Sequence, residues 1–101
     1  MPGTDYGEAW ILARNAEHYT IQVVALSAPA KLHAFIADNP DWAPLAVYRH
    51  TRYQKPLWVL VQGDYQDVPS ARAAVSRFPA GLVRKDDLWI RKIGMVQRLI
   101  E

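Results

Sequence analysis

The chain has 101 residues, half of them hydrophobic and 22% charged, which is the size and composition of one small folded domain. It has no cysteine, which excludes disulfide bonds and thiolate metal sites. Its net charge of +2 is too small for the field of a strong DNA binder. No apolar run approaches the ~18 residues of a membrane span, and the first residues lack a signal-peptide pattern. The chain is therefore either cytoplasmic or part of a protein whose export signal lies elsewhere.

The first half of the chain predicts a strand, a helix and a second strand. Residues 19–25 alternate and are rich in β-branched side chains, which indicates a strand. Leu32, Phe35 and Ile36 then recur at helical spacing, and Asn39-Pro40 ends that helix. Residues 45–49 predict the second strand.

The second half predicts a hairpin, a second helix, a last strand and a closing helix. A turn at residues 51–54 leads into a third strand over residues 56–62, ended by Gly63. Asp67 is expected to cap a helix that ends at Pro79 and Gly81. Residues 89–93 form the fourth strand, and residues 96–100 a short helix.

The predicted order β-α-β-β-α-β is a split βαβ pattern of the α+β class, also called ferredoxin-like or RNP-like. It builds a four-stranded antiparallel sheet with two helices on one face, and we expect the other face to be open to solvent. Residues 1–16 are predicted to be an extension that docks in part through Trp10, Ile11 and Leu12, and residues 17–101 to be the domain.

Alternation places candidate binding residues on the open face. Thr20, Gln22 and Val24 in the first strand, and Trp58, Leu60 and Gln62 in the third, are predicted to point there, with Leu57, Val59 and Val61 pointing towards the helices. Trp89 and Arg91 lie together on one side of the fourth strand. Large apolar groups on an uncovered sheet usually mark a binding surface, unless the extension or the closing helix covers them.

An exposed ring beside amides and arginines can stack on a nucleobase or pack on a sugar ring. RNA-recognition motifs share this fold, but their third strand has the form K/R-G-F/Y-G/A-F-V-x-F/Y. Residues 55–62 lack its glycines and spaced aromatic pair, which argues against nucleic acid.

Catalysis is not predicted. Glycoside hydrolysis needs two carboxylates ~5–9.5 Å apart across a cleft, and neither Asp38 with Asp41 nor Asp86 with Asp87 lies on an obvious cleft wall. The three histidines lack the i, i+4 partner of a metal site. We therefore expect a module that is not an enzyme and has no cofactor and no metal.

Four segments, in the right order, resemble the SPOR domain family, most closely its DamX type. The resemblance covers roughly residues 17–101. It is carried by Tyr19-Thr20-Ile21-Gln22-Val23, by the hairpin with Thr51-Arg52, Pro56 and Trp58-Val59-Leu60-Val61 up to Gly63 and Tyr65, by Ala73-Ala74 before Phe78-Pro79-Ala80, and by Trp89 before Val96-Gln97.

The resemblance implies binding to septal peptidoglycan, with a preference for denuded glycan strands, from which amidases have removed the stem peptides. Gln22 and Trp89 match the family's binding residues. The family's P-W-Y-V is here Pro56-Leu57-Trp58-Val59, so that Trp58 takes the place of the tyrosine, and a binding serine is replaced by Val24 or Ala25. The full set of expected glycan-binding residues is Gln22, Trp58, Trp89, Arg91, Leu60, Thr20 and Arg49, in which Arg91 and Arg49 pair with muramic acid carboxylates.

The resemblance also implies a setting. The domain would be a monomer in the periplasm, at the C-terminus of a protein that reaches the membrane through a segment absent from this chain. Its partners would be denuded glycan strands, with division-machinery proteins as further candidates. The alternative is that the same surface serves as a protein–protein interaction module of a cell-division or cell-envelope protein.

Overall fold

The computed structural model describes residues 5–28, 30–38, 44–77 and 88–100. The predicted helix-ending signals at Asn39-Pro40, Pro79 and Gly81 lie outside these residues. In chain order the described elements are β1 (Asp5–Tyr6), α1 (Glu8–Leu12), β2 (Tyr19–Leu26), α2 (Ala30–Asp38), β3 (Leu45–Arg52), β4 (Lys55–Tyr65), α3 (Val68–Val75), β5 (Trp89–Lys92) and α4 (Ile93–Leu99).

The strands form one sheet in the order β1-β3-β4-β2-β5. The last four strands are paired antiparallel with one another, which confirms the predicted four-stranded sheet and the α+β fold. The short strand β1 adds a parallel edge, pairing Asp5 with Leu45 and Tyr6 with Ala46. The predicted extension therefore contributes a strand and a helix to the fold.

Helices α2 and α3 cover one face of the sheet, which we call the α2/α3 face. Its core consists of Ile21, Val23, Leu32, Phe35, Ile36, Leu45, Leu60, Ala71 and Ala74. The small side chains of α3 let that helix lie close to the strands. The carboxylate of Asp67 accepts a hydrogen bond from the Ser70 backbone N–H at 2.9 Å, which confirms the predicted helix cap. None of the helices in the described ranges is long and apolar enough to cross a membrane.

The opposite face carries α1 and α4, so the prediction that it is open to solvent is wrong. We call it the α1/α4 face. Its core is formed by Ile11, Ala46, Tyr48, Val59, Val61 and Val96. Of the three residues expected to dock, Ile11 is 1% exposed and Trp10 packs against this core, whereas Leu12 is 54% exposed. The face is covered because both terminal segments supply apolar side chains that need a partner surface.

One glutamine joins the two terminal helices. The Gln97 side-chain amide donates to the carbonyl oxygens of Ile11 and Arg14, each at 3.0 Å, and to that of Leu12 at 3.5 Å. These carbonyls lie at the end of α1, where helical carbonyls have no partner within the helix. The amide therefore fixes α1 beside α4.

Strand β4 is buried on both faces, which reverses its predicted orientation. Trp58 and Leu60 pack on the α2/α3 face, and Leu60 is 0% exposed. Val59 and Val61 pack on the α1/α4 face. A strand buried on both sides is a continuous apolar run without polar alternation, so its sequence does not show which set faces which way.

Two β-bulges lie in the β2–β4 pair. Tyr19 pairs with Tyr65 but Ile21 pairs with Gln62, which leaves an extra residue in β4 near Gly63. Gln22 pairs with Val61 but Val24 pairs with Leu60, which leaves an extra residue in β2. Gly63 has a φ of +82°, a conformation suited to glycine at a bulge.

The β2 bulge changes which side chains follow Gln22 on its face. Val23 and Val24 both pack on the α2/α3 face, and Ala25, paired with Val59, returns to the α1/α4 face. The predicted outward orientation of Val24 is therefore wrong, because the alternation of β2 is interrupted at the bulge.

Candidate functional site

Strand pairing gathers three of the predicted site residues on the α1/α4 face. Gln22 pairs with Trp89 on β5 and with Val61 on β4, and directly paired residues point to the same face. Arg91 lies two residues beyond Trp89 and so shares that face. The amide, the indole and the guanidinium therefore meet on one surface.

This surface contains a groove of about 220 Å³ beside the end of α4. Its floor consists of side chains from β2, β3 and β4, and Leu99 of α4 forms part of one wall. The lining residues are Gln22, Ala25, Tyr48, His50, Arg52, Leu57, Val59, Arg91 and Leu99. The groove thus extends from the β5 edge of the sheet to the β3–β4 hairpin.

Three contacts hold Arg91 in place. Its Nη1 donates to the Gln22 Oε1 at 3.0 Å, and its Nη2 lies 3.1 Å from the Met95 sulfur. The guanidinium carbon is 5.1 Å from the centroid of the Trp89 ring, within cation–π range. The Trp89 residue as a whole is 62% exposed. Arg91 is therefore oriented before any ligand arrives, and Trp89 presents a free ring surface beside it.

Tyr48 and His50 continue the groove along β3. Tyr48 is buried, and burial raises the pKa of its hydroxyl, while the positive charge of Arg91 acts in the opposite direction. The hydroxyl therefore stays neutral at physiological pH. His50 Nδ1 lies 3.2 Å from the Leu99 carbonyl oxygen, which connects the floor of the groove to its α4 wall.

The charge in the groove has one sign. Arg52 and Arg91 line it, and no aspartate or glutamate is among its lining residues in the described part of the chain. An arginine fork matches the two oxygens of a carboxylate. The groove is thus suited to a polar, extended ligand that carries negative charge.

Four predicted site residues are not available to a ligand in this groove. Thr20 has the right face but is buried, and its hydroxyl donates to the Gln62 carbonyl oxygen at 3.1 Å. Leu60 and Trp58 lie on the α2/α3 face, contrary to the prediction. Arg49 pairs with Trp58 and so points to that face as well.

Gln62 was also expected to face outwards and is instead buried, with its Oε1 accepting from the Tyr65 hydroxyl at 2.5 Å. The Gly63 bulge that follows it lets the Tyr65 ring reach back to this amide.

The sequence interpretation missed Tyr48, His50, Arg52 and Leu57. A signal for three of them is present, since Tyr48, His50 and Arg52 alternate along one strand and must share a face. This alternation does not by itself show that the three residues share a face with Gln22. Strands β3 and β2 are connected only through β4, and the predicted orientation of β4 was reversed.

The described residues contain no cluster of three or more histidines, aspartates or glutamates that could hold a metal ion. His18 and Asp64 form a separate pair at 2.7 Å, and neither lines the groove.

Comparison with known families decides what kind of domain this is. The family model for the SPOR domain matches residues 15–92, about three quarters of the chain. The chain belongs to the SPOR domain family. This is a family of binding domains, not of catalytic ones.

A curated relative of this SPOR domain is the cell division protein DamX of Serratia marcescens. The two are 33% identical over 81 residues, which is 80% of this chain and 37% of the relative. The chain thus spans little more than a third of the relative's length.

The family match includes most of the groove but not all of its surroundings. It runs from β2 to β5 and so contains Gln22, Arg52, Trp89 and Arg91. Helices α1 and α4 lie outside it, and α4 supplies the Leu99 wall. The two helices that cover the α1/α4 face therefore lie outside the matched region.

Proposed function

We infer that this SPOR domain binds the glycan strands of peptidoglycan, and that a strand lies in the groove. The observation that carries the proposal is the convergence of Gln22, Trp89 and Arg91 on one surface, with the Trp89 ring exposed. An indole can pack on the apolar face of a sugar ring. The neighbouring amide and guanidinium can bond the hydroxyl, acetamide and carboxylate groups at its edges.

The preferred ligand is a denuded strand. Removing a stem peptide exposes the lactyl carboxylate of each muramic acid, so a denuded strand is a regular polyanion. Arg91 lines the groove, and no aspartate or glutamate of the described residues lines it, so its guanidinium can form charge-assisted hydrogen bonds to such a carboxylate. Because these groups are reached by solvent, binding weakens as salt rises, with screening over ~8 Å at physiological ionic strength.

Binding of this kind would target a larger protein to the division septum. The cell-division relative supports that setting. Targeting to the septum would require the domain to work in the periplasm, with the parent protein anchored through a segment outside this chain. We propose that the domain acts as a monomeric module that does not itself cut the glycan, beside other proteins of the division machinery.

Sedimentation with isolated sacculi tests the proposal. The chain is mixed with sacculi with or without prior amidase treatment, and the bound fraction is measured against salt. We expect binding to increase after treatment. We expect Trp89→Ala to weaken it roughly tenfold or more, the cost typical of an aromatic hot spot, and Gln22→Ala to weaken it too, since Arg91 loses its partner.

Two controls make the outcome clear. Leu12→Ala removes another exposed apolar side chain, away from the groove, and Arg49→Gln removes a charge on the α2/α3 face. Both should bind like the unmodified chain. Folded Trp89→Ala and Gln22→Ala variants that sediment at full strength would refute glycan binding in this groove. Retention on a division protein without glycan would instead support the protein-interaction alternative.

A further inference from the structure

Each end of the groove carries an arginine beside an aromatic ring. At the β5 end the Arg91 guanidinium lies 5.1 Å from the Trp89 ring centroid. At the hairpin end the Arg52 guanidinium lies 5.6 Å from the Tyr53 ring centroid. Both arginines line the groove, so each end offers a guanidinium to an anion and an aromatic ring beside it.

The backbone at the hairpin tip favours a functional role for Tyr53. Tyr53 and Gln54 form the two-residue turn with φ values of +52° and +64°. Such turns favour Asn-Gly, because side chains other than glycine and asparagine rarely adopt positive φ. Tyr53 is also 86% exposed. Its ring therefore contributes little to the core, while its backbone is strained, and residues held in this way cluster at ligand-binding sites.

The distance between the ends suits a polymer. Trp89, Gln22, Val61 and Ala46 form one row across four strands, and three strand spacings of ~4.8 Å make roughly 14 Å. Arg52 lies six residues further along β3, roughly 20 Å at ~3.3 Å per residue. The backbones of Trp89 and Arg52 are thus roughly 25 Å apart. The side chains of Arg91 and Arg52 both reach into the groove between them, which Tyr48, His50 and Leu57 also line.

We propose that Arg52 and Tyr53 form a second sugar–carboxylate subsite, which binds a later repeat of the same denuded strand that Trp89 and Arg91 engage. The inference rests on the proposed function. Arg52 pairs with the carboxylate of that repeat, and the Tyr53 ring packs on its sugar. A regular polyanion can fill both ends at once, whereas a short fragment fills one.

Length-dependent affinity tests the subsite. Calorimetry or fluorescence titration compares a peptide-free glycan tetrasaccharide and octasaccharide, and a chitin octasaccharide that lacks carboxylates. The unmodified chain should bind the glycan octasaccharide most tightly. Arg52→Gln should weaken octasaccharide binding roughly two- to fivefold, the range of an exposed ion pair, and leave the tetrasaccharide unchanged.

Tyr53→Asn separates the ring from the charge. Asparagine tolerates positive φ, so this variant keeps the turn and removes only the ring. It should weaken the glycan and the chitin octasaccharides alike, whereas Arg52→Gln should leave chitin binding unchanged. Arg49→Gln, which removes the same charge on the opposite face, is the matched control and should have no effect on any ligand.

The outcomes separate the subsite from the function on which it rests. Suppose that Trp89→Ala abolishes glycan binding, but that Arg52→Gln changes the affinity for the tetrasaccharide and the octasaccharide equally or changes neither. The subsite is then refuted and the proposed function stands. The subsite is equally refuted if Arg49→Gln reproduces the effect of Arg52→Gln. If the unmodified chain binds none of the three ligands, both are refuted.

Discussion

Replacing Gly63 at its bulge should lower the stability of the fold for two separate reasons, one in the backbone and one in a neighbouring side chain. The Gly63 φ of +82° disfavours any L side chain, at about 1–2 kcal/mol for alanine. A Cβ added there would also lie 2.5 Å from the Tyr65 Cε2 and 2.7 Å from its Cζ. That ring can move, but only by giving up its hydrogen bond to Gln62, at a further cost of about 0.5–1.5 kcal/mol.

Gly63→Ala should therefore lower the free energy of unfolding by roughly 1.5–3.5 kcal/mol. For a chain of this size that corresponds to a fall in Tm of roughly 6–28 °C. Urea unfolding followed by tryptophan fluorescence measures the free energy, and thermal unfolding measures Tm.

A double-mutant cycle with Tyr65→Ala tests the reasoning. Without the ring, only the backbone cost remains, so Gly63→Ala should cost about 1–2 kcal/mol in that background. The coupling between the two sites is then on the order of 1 kcal/mol. Equal costs of Gly63→Ala in both backgrounds would show that the Tyr65 contact plays no part and would refute the account.

Three further predictions address the core, a helix cap and the terminal helices. Leu60→Ala should lower the free energy of unfolding, measured in urea, by about 2–5 kcal/mol, as expected for a core leucine. A loss below about 0.5 kcal/mol would instead indicate that Leu60 is exposed, as the sequence predicted. The pKa of Asp67 is lowered by its hydrogen bonds from Ser70, so its stabilising effect is complete above the ordinary carboxyl pKa and is lost as pH falls through the lowered value. Asp67→Asn should therefore lose less stability on acidification than the unmodified chain, and parallel pH profiles would contradict this. Gln97→Ala should cost about 1–3 kcal/mol and speed hydrogen exchange in α1 ahead of the sheet, whereas the exposed neighbour Arg98→Ala should do neither.

Much of the fold was predictable because its local signals agree with its tertiary structure. β-branched alternation marked β2, and the Asp67 cap marked the start of α3. The sequence also predicted that Ile11 would dock, because so apolar a segment cannot remain in water. It did not show where Ile11 docks, since that depends on Val96 and the other side chains with which it packs.

The candidate site was predictable only where alternation stays unbroken. Gln22 was predicted to point away from α2 and α3 because β2 alternates up to that residue, and Trp89 and Arg91 were predicted to share a side because they lie two residues apart. Alternation did not show which side of the fourth strand carries them; only the resemblance grouped all three residues. Trp58 and Leu60 were misplaced because a strand covered on both sides has no polar face to orient it. The residues that line the hairpin half of the groove were therefore not predicted, because the face to which β3 side chains point follows from their pairing with β4.

The two bulges in the β2–β4 pair offset each other. Before and after them the pairing follows one register, from Tyr19 with Tyr65 to Leu26 with Trp58, and only Ile21 and Gln22 are displaced by one position. Deleting either extra residue alone would carry that displacement through the rest of the ladder and turn side chains to the wrong side of the sheet. Loss of both together would restore one continuous register, because each bulge cancels the shift that the other introduces. The pairing of β4 with the part of β2 beyond Gln22 thus depends on a matched pair of irregularities, which can change only in step.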